Sequence, residues 1–201
     1  GHVFCAGADI KERAGMARQP GDYARHNRIA REYTNCVREC AVPVIAAVNG
    51  AALGAGFGLM AACDIMLASD NAVFAMPEID VGLAGGAAML THLVGKSRGR
   101  RILFTGERIT AQEMYRLGVI ECCVPRAALM EEALKLARTI AAKSPMAMRL
   151  AKKAYNVCEN MPQRDGYRFE QDITVQLSHT EDAQEAQRAF VEKRKPVFKG
   201  R

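Results

Sequence analysis

Two short runs of Gly and Ala constrain the fold of this chain more than any other feature. The first is Phe4-Cys5-Ala6-Gly7-Ala8-Asp9-Ile10-Lys11-Glu12. The second is Asn49-Gly50-Ala51-Ala52-Leu53-Gly54-Ala55-Gly56-Phe57-Gly58, which runs on to Ala62-Cys63-Asp64. Each places a small-residue turn just before a segment with helical character. Such a turn leaves backbone N–H groups uncovered, and a helix N-terminus aims them outward. Two such turns facing one point make a site for a single developing negative oxygen.

The rest of the pattern supplies the frame. Residues 43–48 form a short apolar, β-branched run, the mark of a buried strand. Further strands are expected at 3–5, 65–68, 73–75 and 119–124, with Ser69-Asp70-Asn71 as a turn. A short helix is expected over 9–16, broken by Arg18-Gln19-Pro20-Gly21. Asp22 caps a long helix to about residue 40, with Tyr23, Ile29, Tyr33 and Val37 near helical spacing. A small-residue helix follows from about Ala55. This alternation of strand and helix argues an α/β fold. From Gly86 onward the pattern is mostly helical. Thr110 and Glu113 have capping-box spacing, and Gly118 stops that helix. A helix is expected over 130–143, Ser144-Pro145 starts another, and Thr180 opens the last, ending near Lys195-Pro196.

Composition narrows the function. The 201 residues are 49% apolar and 25% charged, ordinary for one globular domain. There is no Trp and only 6% aromatic residues, so the core rests on aliphatic side chains and the 10 Met. No apolar run approaches the ~20 residues of a membrane helix. Seven cysteines include no CxxC pair, and His is scarce, which argues against a zinc site and for reduced thiols. The net charge of +6 and pI near 9.0 suit a nucleic acid, a membrane surface or a phosphorylated ligand. Lys193-Arg194-Lys195, Lys199 and Arg201 read either as a ligand-binding tail or as a frayed, solvated terminus. Leu59 stands where a dinucleotide-binding G-x-G-x-x-G would need its third glycine. No G-x-S-x-G elbow is present.

Together, the two Gly/Ala turns and the Cys63-Asp64 segment resemble the crotonase superfamily, the enoyl-CoA hydratase/isomerase family. The resemblance covers essentially the whole chain, although full members carry further strands and a helix before the Phe4 segment. It implies a ClpP/crotonase-like spiral of ββα units, with a core over 1–124 and a helical region over 125–201 that builds homotrimers or dimers of trimers. It implies a thioester carbonyl held by the N–H groups of Ala8 and Ala55. Coenzyme A enters as part of the substrate, with no permanently bound cofactor or metal. Its adenine is expected near Ala6, Ala8, Asp9 and Ile10, and its phosphates near Lys11, Phe198 and Lys199.

The acid/base positions depart from the family's hydratases. Those enzymes place two glutamates around one water. The second is present here in Met76-Pro77-Glu78, but Gly58 occupies the position of the first. Glycine cannot activate water, so a single-base reaction on Glu78, such as double-bond isomerisation, is expected. Asp80, projecting beside Glu78 from an extended segment, is the candidate substitute carboxylate, and a loop cap or surface ion pair is its other reading. The loop Gly82-Leu83-Ala84-Gly85-Gly86 is shorter than usual and lacks the family's Pro. Phe57, Met60 and Met89 are candidates for an acyl pocket or for core packing. His92 reads as a packed or surface residue. A non-catalytic acyl-CoA-binding or RNA-binding member is the alternative, without an aromatic-basic motif to support RNA. The expected location is the cytoplasm, or the mitochondrial matrix if a transit peptide precedes the chain.

Overall fold

A computed structural model of the chain describes residues 1–11 and 19–201. The helix expected over 9–16 runs mostly through residues outside those described. By internal contact the described residues form two compact units, against a division after residue 124 read from the sequence. One unit comprises 1–38 and 44–133, and the other comprises 39–43 and 134–201.

Among the described residues, the first unit has seven strands in two sheets. The strands are β1 (Val3–Cys5), β2 (Ile45–Val48), β3 (Ala51–Leu53), β4 (Ile65–Ser69), β5 (Val73–Ala75), β6 (Ile109–Thr110) and β7 (Cys122–Val124). One sheet has the order β1-β3-β5-β6 and the other β2-β4-β7. All pairs are parallel except β5 with β6. From β1 to β5, consecutive strands therefore alternate between sheets. β2 and β3 are separated only by Asn49-Gly50, yet β2 pairs with β4 and β3 pairs with β1 and β5. A tight corner allows this. A Cβ on Gly50 would lie 2.1 Å from the His2 carbonyl oxygen, so only glycine lets the two backbones pass.

Helices close each turn of this spiral. They are α1 (Asp22–Arg38), α2 (Ala55–Ala61), α3 (Ala87–Leu93), α4 (Lys96–Thr105) and α5 (Ala111–Arg116). Small strand residues let α2 sit close: Val48, Ala52, Ala68 and Phe74 are wholly buried with Phe57 and Met60. The turns read from the sequence are present. Thr110 accepts from the Glu113 N–H, and Gly118 has a φ of 72° just past α5. The reciprocal half of that capping box is replaced. Arg116 and Arg98 hold the Glu113 carboxylate and keep its pKa below the ordinary value, with the Arg116 hydrogen bond the main cause.

Helix α1 ends at Arg38, and no side chain on it is buried. Its cap differs from expectation, because the Asp22 carboxylate accepts from the N–H of Gln19, upstream of the helix. Ile29, expected on a core-facing stripe, is 64% exposed. Ile29 and Tyr33 line an open cavity, so part of the stripe read as core-facing from its helical spacing borders that cavity instead.

The second unit contains most of α6 (Leu129–Ala141) and all of α7 (Pro145–Cys158), α8 (Gln163–Ser178) and α9 (Glu181–Val191). Ser144 caps α7 and Thr180 caps α9, each accepting from the N–H three residues on. Helix α9 stops at Val191, earlier than expected, because Lys193 adopts a left-handed φ of 53°.

The C-terminal tail is held in place, so the frayed-terminus reading does not describe it. Asp182, 1% exposed, accepts from the Ser144 hydroxyl and from the N–H groups of Lys199 and Gly200. Burial pushes the Asp182 carboxyl up, but those three donors outweigh it and hold the pKa below the ordinary value. Glu185 binds Arg194 through both oxygens and accepts from the Val197 N–H. Chiefly through Arg194, the Glu185 pKa falls to about 2.

A carboxylate with a depressed folded pKa stabilises above its unfolded value, near 4.3, and loses that contribution as pH falls through the folded value. Glu185→Gln is therefore expected to lower the urea midpoint at pH 7, and the gap to the parent chain should close between about pH 4.3 and 2. Urea titrations of both chains at several pH values check this. A gap that is constant in acid would mean the Glu185 ion pair adds no stability.

Candidate active site

The two Gly/Ala turns meet. A Cβ on Gly7, whose φ is 98°, would lie 2.8 Å from the Leu53 carbonyl oxygen and 3.5 Å from the Ala55 nitrogen. A Cβ on Gly56 would lie 2.1 Å from the Cys5 carbonyl oxygen. Both glycines are thus required by close approach, and Gly7 by its backbone angle as well. Ala55 is the first residue of α2, where an N–H has no intrahelical acceptor. Among the described residues neither the Ala8 nor the Ala55 N–H donates to another group.

Glu78 is delivered to this corner by the sheet. The Gly54 N–H donates to the carbonyl of Ala75 at the end of β5, and the chain then turns through Met76-Pro77. Its Oε1 lies 2.8 Å from where a Cβ on Gly54 would stand, and its Cγ lies 3.2 Å from the corresponding point on Gly85. Glycine at 54 and 85 therefore makes the room for the carboxylate. The other oxygen, Oε2, is buried and has no hydrogen-bond partner among the described residues.

A cavity of about 620 Å³ opens over the corner. Of the residues expected in the site, Ala6, Ala8, Ile10, Ala55, Glu78, Asp80, Gly58 and Met89 line it. Asp9 and Lys11 lie beside that lining, and the Asp9 carboxylate accepts from the Lys11 N–H. Phe198 and Lys199 belong to the second unit, where the Lys199 ammonium lies 3.5 Å from Glu181. Phe57 and Met60 are core residues, 1% and 0% exposed, so Met89 alone of the three acyl-pocket candidates faces the cavity. His92 is exposed on α3 and is not part of the lining.

Asp80 departs from expectation. Residues Pro77–Val81 form a 3₁₀ turn, not an extended segment. With three residues per turn, positions two apart diverge. The exposed Asp80 carboxylate lies against Gly106, 3.0 Å from the position of a Cβ there, while Glu78 faces Gly54.

Sequence reasoning missed the wall formed by α1. His26, Asn27, Ala30, Tyr33 and Thr34 all line the cavity. The Tyr33 hydroxyl donates to the Ala55 carbonyl at 3.2 Å, tying α1 to the start of α2. Burial pushes the Tyr33 pKa to about 12, with Cys5, Cys63 and Cys36 adding to the shift, so the phenol keeps its proton at neutral pH. Helical spacing from residue 26 to 34 was the available signal. It could not tell a core face from a cavity face.

A two-sheet ββα spiral, with a carboxylate and two uncommitted backbone donors over one cavity, defines the crotonase class of folds. The enoyl-CoA hydratase from Bacillus anthracis superimposes with a TM-score of 0.93 at 39% identity, over 100% of this chain and 78% of that one. The family model for enoyl-CoA hydratase/isomerase matches residues 1–201. Among curated relatives, the probable enoyl-CoA hydratase 2, mitochondrial, of Arabidopsis thaliana is 37% identical, over 98% of this chain but 66% of its own length. The 2,3-dehydroadipyl-CoA hydratase of Escherichia coli K12 is 38% identical, over 98% of this chain and 77% of that protein. The chain belongs to the enoyl-CoA hydratase/isomerase family.

Proposed function

We propose that this protein moves a proton on an acyl-CoA thioester with Glu78 as its single acid/base group, and that double-bond isomerisation is favoured over hydration. The observation that carries the reading is the Glu78 carboxylate, with one oxygen buried and unpartnered among the described residues, set against the turn that bears the free Ala55 N–H.

The chemistry runs in two transfers. Glu78 takes a proton from C2 of a 3-enoyl thioester, and the C–H electron pair moves into the carbonyl. The N–H groups of Ala8 and Ala55 hold the resulting enolate oxygen. Glu78 then returns the proton to C4, leaving the double bond between C2 and C3. No water enters or leaves. Hydration would need a second group to orient water, and Gly58 has no side chain to do so. Asp80 is a poor substitute, because its carboxylate is exposed and turned toward Gly106.

The test is incubation of 2-enoyl-, 3-enoyl- and dienoyl-CoA in heavy water, with products read by mass. The expected result is migration of the 3-enoyl double bond with deuterium at C2 or C4, and slow hydration of the 2-enoyl substrate. Fast hydration without double-bond migration would overturn the reading.

The same proposal takes coenzyme A as part of the substrate rather than as a resident cofactor. It assigns Ala6, Asp9, Ile10 and Lys11 to the CoA end of the site, and Phe198 and Lys199, in the second unit, are proposed separately as phosphate-binding residues. It also includes assembly as a trimer or dimer of trimers. Tyr155, Phe190 and Val191 on the helices of the second unit are 74%, 85% and 80% exposed, apolar surface suited to a partner copy. Sedimentation analysis tests this, and a monomer at micromolar concentration would refute it. No helix among the described residues is long and apolar enough to cross a membrane. A cytoplasmic or matrix location is proposed with it, the latter supported by the mitochondrial relative from Arabidopsis.

A further inference from the structure

Position 58 faces the catalytic corner even though it carries no side chain. The Gly58 N–H donates to the Gly54 carbonyl at 3.0 Å, so the two residues are one helical turn apart on the same face of α2. Gly54 is the residue against which Glu78 Oε1 rests. Cα–Cβ bonds on a helix tilt toward its N-terminus, so a side chain at 58 would lean toward Glu78. The space it would enter is shared with the tip of Met89, which would have to shift by a few tenths of an ångström. A Cβ on Gly58 would stand 3.1 Å from Met89 Cε and 3.2 Å from Met89 Sδ. Met89 reaches there from α3, across the cavity wall.

We infer that Met89 is a specificity-determining residue: its thioether occupies the place of a second acid/base side chain and closes that wall against water. This rests on the single-base reading above and adds the group that enforces it. A thioether is a weak hydrogen-bond acceptor and no donor, so a water beside it lacks the two to four polar partners that would hold it in place. At position 58 a 2-enoyl thioester then meets the Met89 thioether where a second carboxylate would stand, with Glu78 beside it and Asp80 turned toward Gly106. Proton transfer by Glu78 proceeds, while addition of water across C2 and C3 lacks a nucleophile and a second proton carrier positioned from 58. The bare position 58 and the Met89 side chain are two sides of one contact, so a glutamate placed at 58 must displace the Met89 thioether before it can act.

The experiment is a double-mutant cycle of Gly58→Glu and Met89→Ala, with Met89→Gln as a polar variant of similar length. Three quantities are read: hydration of a short 2-enoyl-CoA, isomerisation of the matching 3-enoyl-CoA, and Tm. Gly58→Glu combined with Met89→Ala is expected to hydrate about 10²-fold faster than the parent, the lower end for one added acid/base group. Gly58→Glu alone should gain less than about a tenth of that, a coupling expected of groups in contact. It should also lower Tm by about 4 °C, the scale for one overpacked contact in a chain of this size, and Met89→Ala should recover the loss. Met89→Gln should raise the ratio of hydration to isomerisation, a readout that general loosening of the fold would not move in that direction.

Equal hydration by Gly58→Glu with and without Met89→Ala, or additive Tm values, would overturn the role of Met89. If the parent hydrates rapidly and does not isomerise, the single-base reading falls. The Tm cycle would still report whether Met89 holds the space at 58.

Discussion

Glu78→Gln is expected to abolish deuterium exchange at the thioester α-carbon, a loss of about 10²–10⁴-fold, while affinity for CoA stays nearly unchanged. Glutamine keeps the length of the side chain and its methylene contact with Gly85. Its amide cannot accept a proton from carbon. The substitution therefore removes the chemistry and leaves the cavity shape. It also places amide atoms where Oε2 is buried without a partner among the described residues, so some stability is expected to be lost. Circular dichroism separates that from unfolding. A folded variant with full exchange would show that another group moves the proton and would end the assignment of Glu78.

Ala55→Pro should reduce turnover by about 10²–10³-fold, the scale for losing one oxyanion donor. The site favours a clean test. Ala55 is the first residue of α2, where proline's fixed φ is tolerated and no intrahelical bond is broken. Proline removes the N–H and puts a methylene in its place, on the side facing Gly7. Loss of the donor and obstruction of the hole act in the same direction. Normal turnover by a folded variant would mean that this N–H does not contact the substrate. Because the donor acts on developing charge, the loss should appear in kcat more than in KM.

The sequence carried the parts of this protein that depend on local chemistry. Gly and Ala at 7, 54, 55 and 56 announced two turns with uncovered N–H groups: Gly7 and Gly54 adopt left-handed backbone angles, and Gly7 and Gly56 let backbones approach where a Cβ would clash. The apolar run ending at Val48 and the Thr110, Gly118, Ser144 and Thr180 signals marked elements where they stand. Glu78 after Pro77, and the missing side chain at 58, were legible as residue types.

What depended on packing was not legible. The stripe on α1 has helical spacing whether it meets a core or a cavity, and only the fold put Tyr33 against Ala55. The 3₁₀ turn over Pro77–Val81 separates Asp80 from Glu78, although two residues of spacing would align them in an extended strand. The C-terminal tail, read as either fraying or binding ligand, is pinned by Asp182 and Glu185 from a helix before it. Met89 lies more than thirty residues after Gly58, and no local pattern joins them. Turns and caps are decided within a few residues, so composition and spacing reveal them. A cavity wall is decided by which side chains converge from distant segments, and only the folded chain brings Met89, Gly58 and Glu78 to one place.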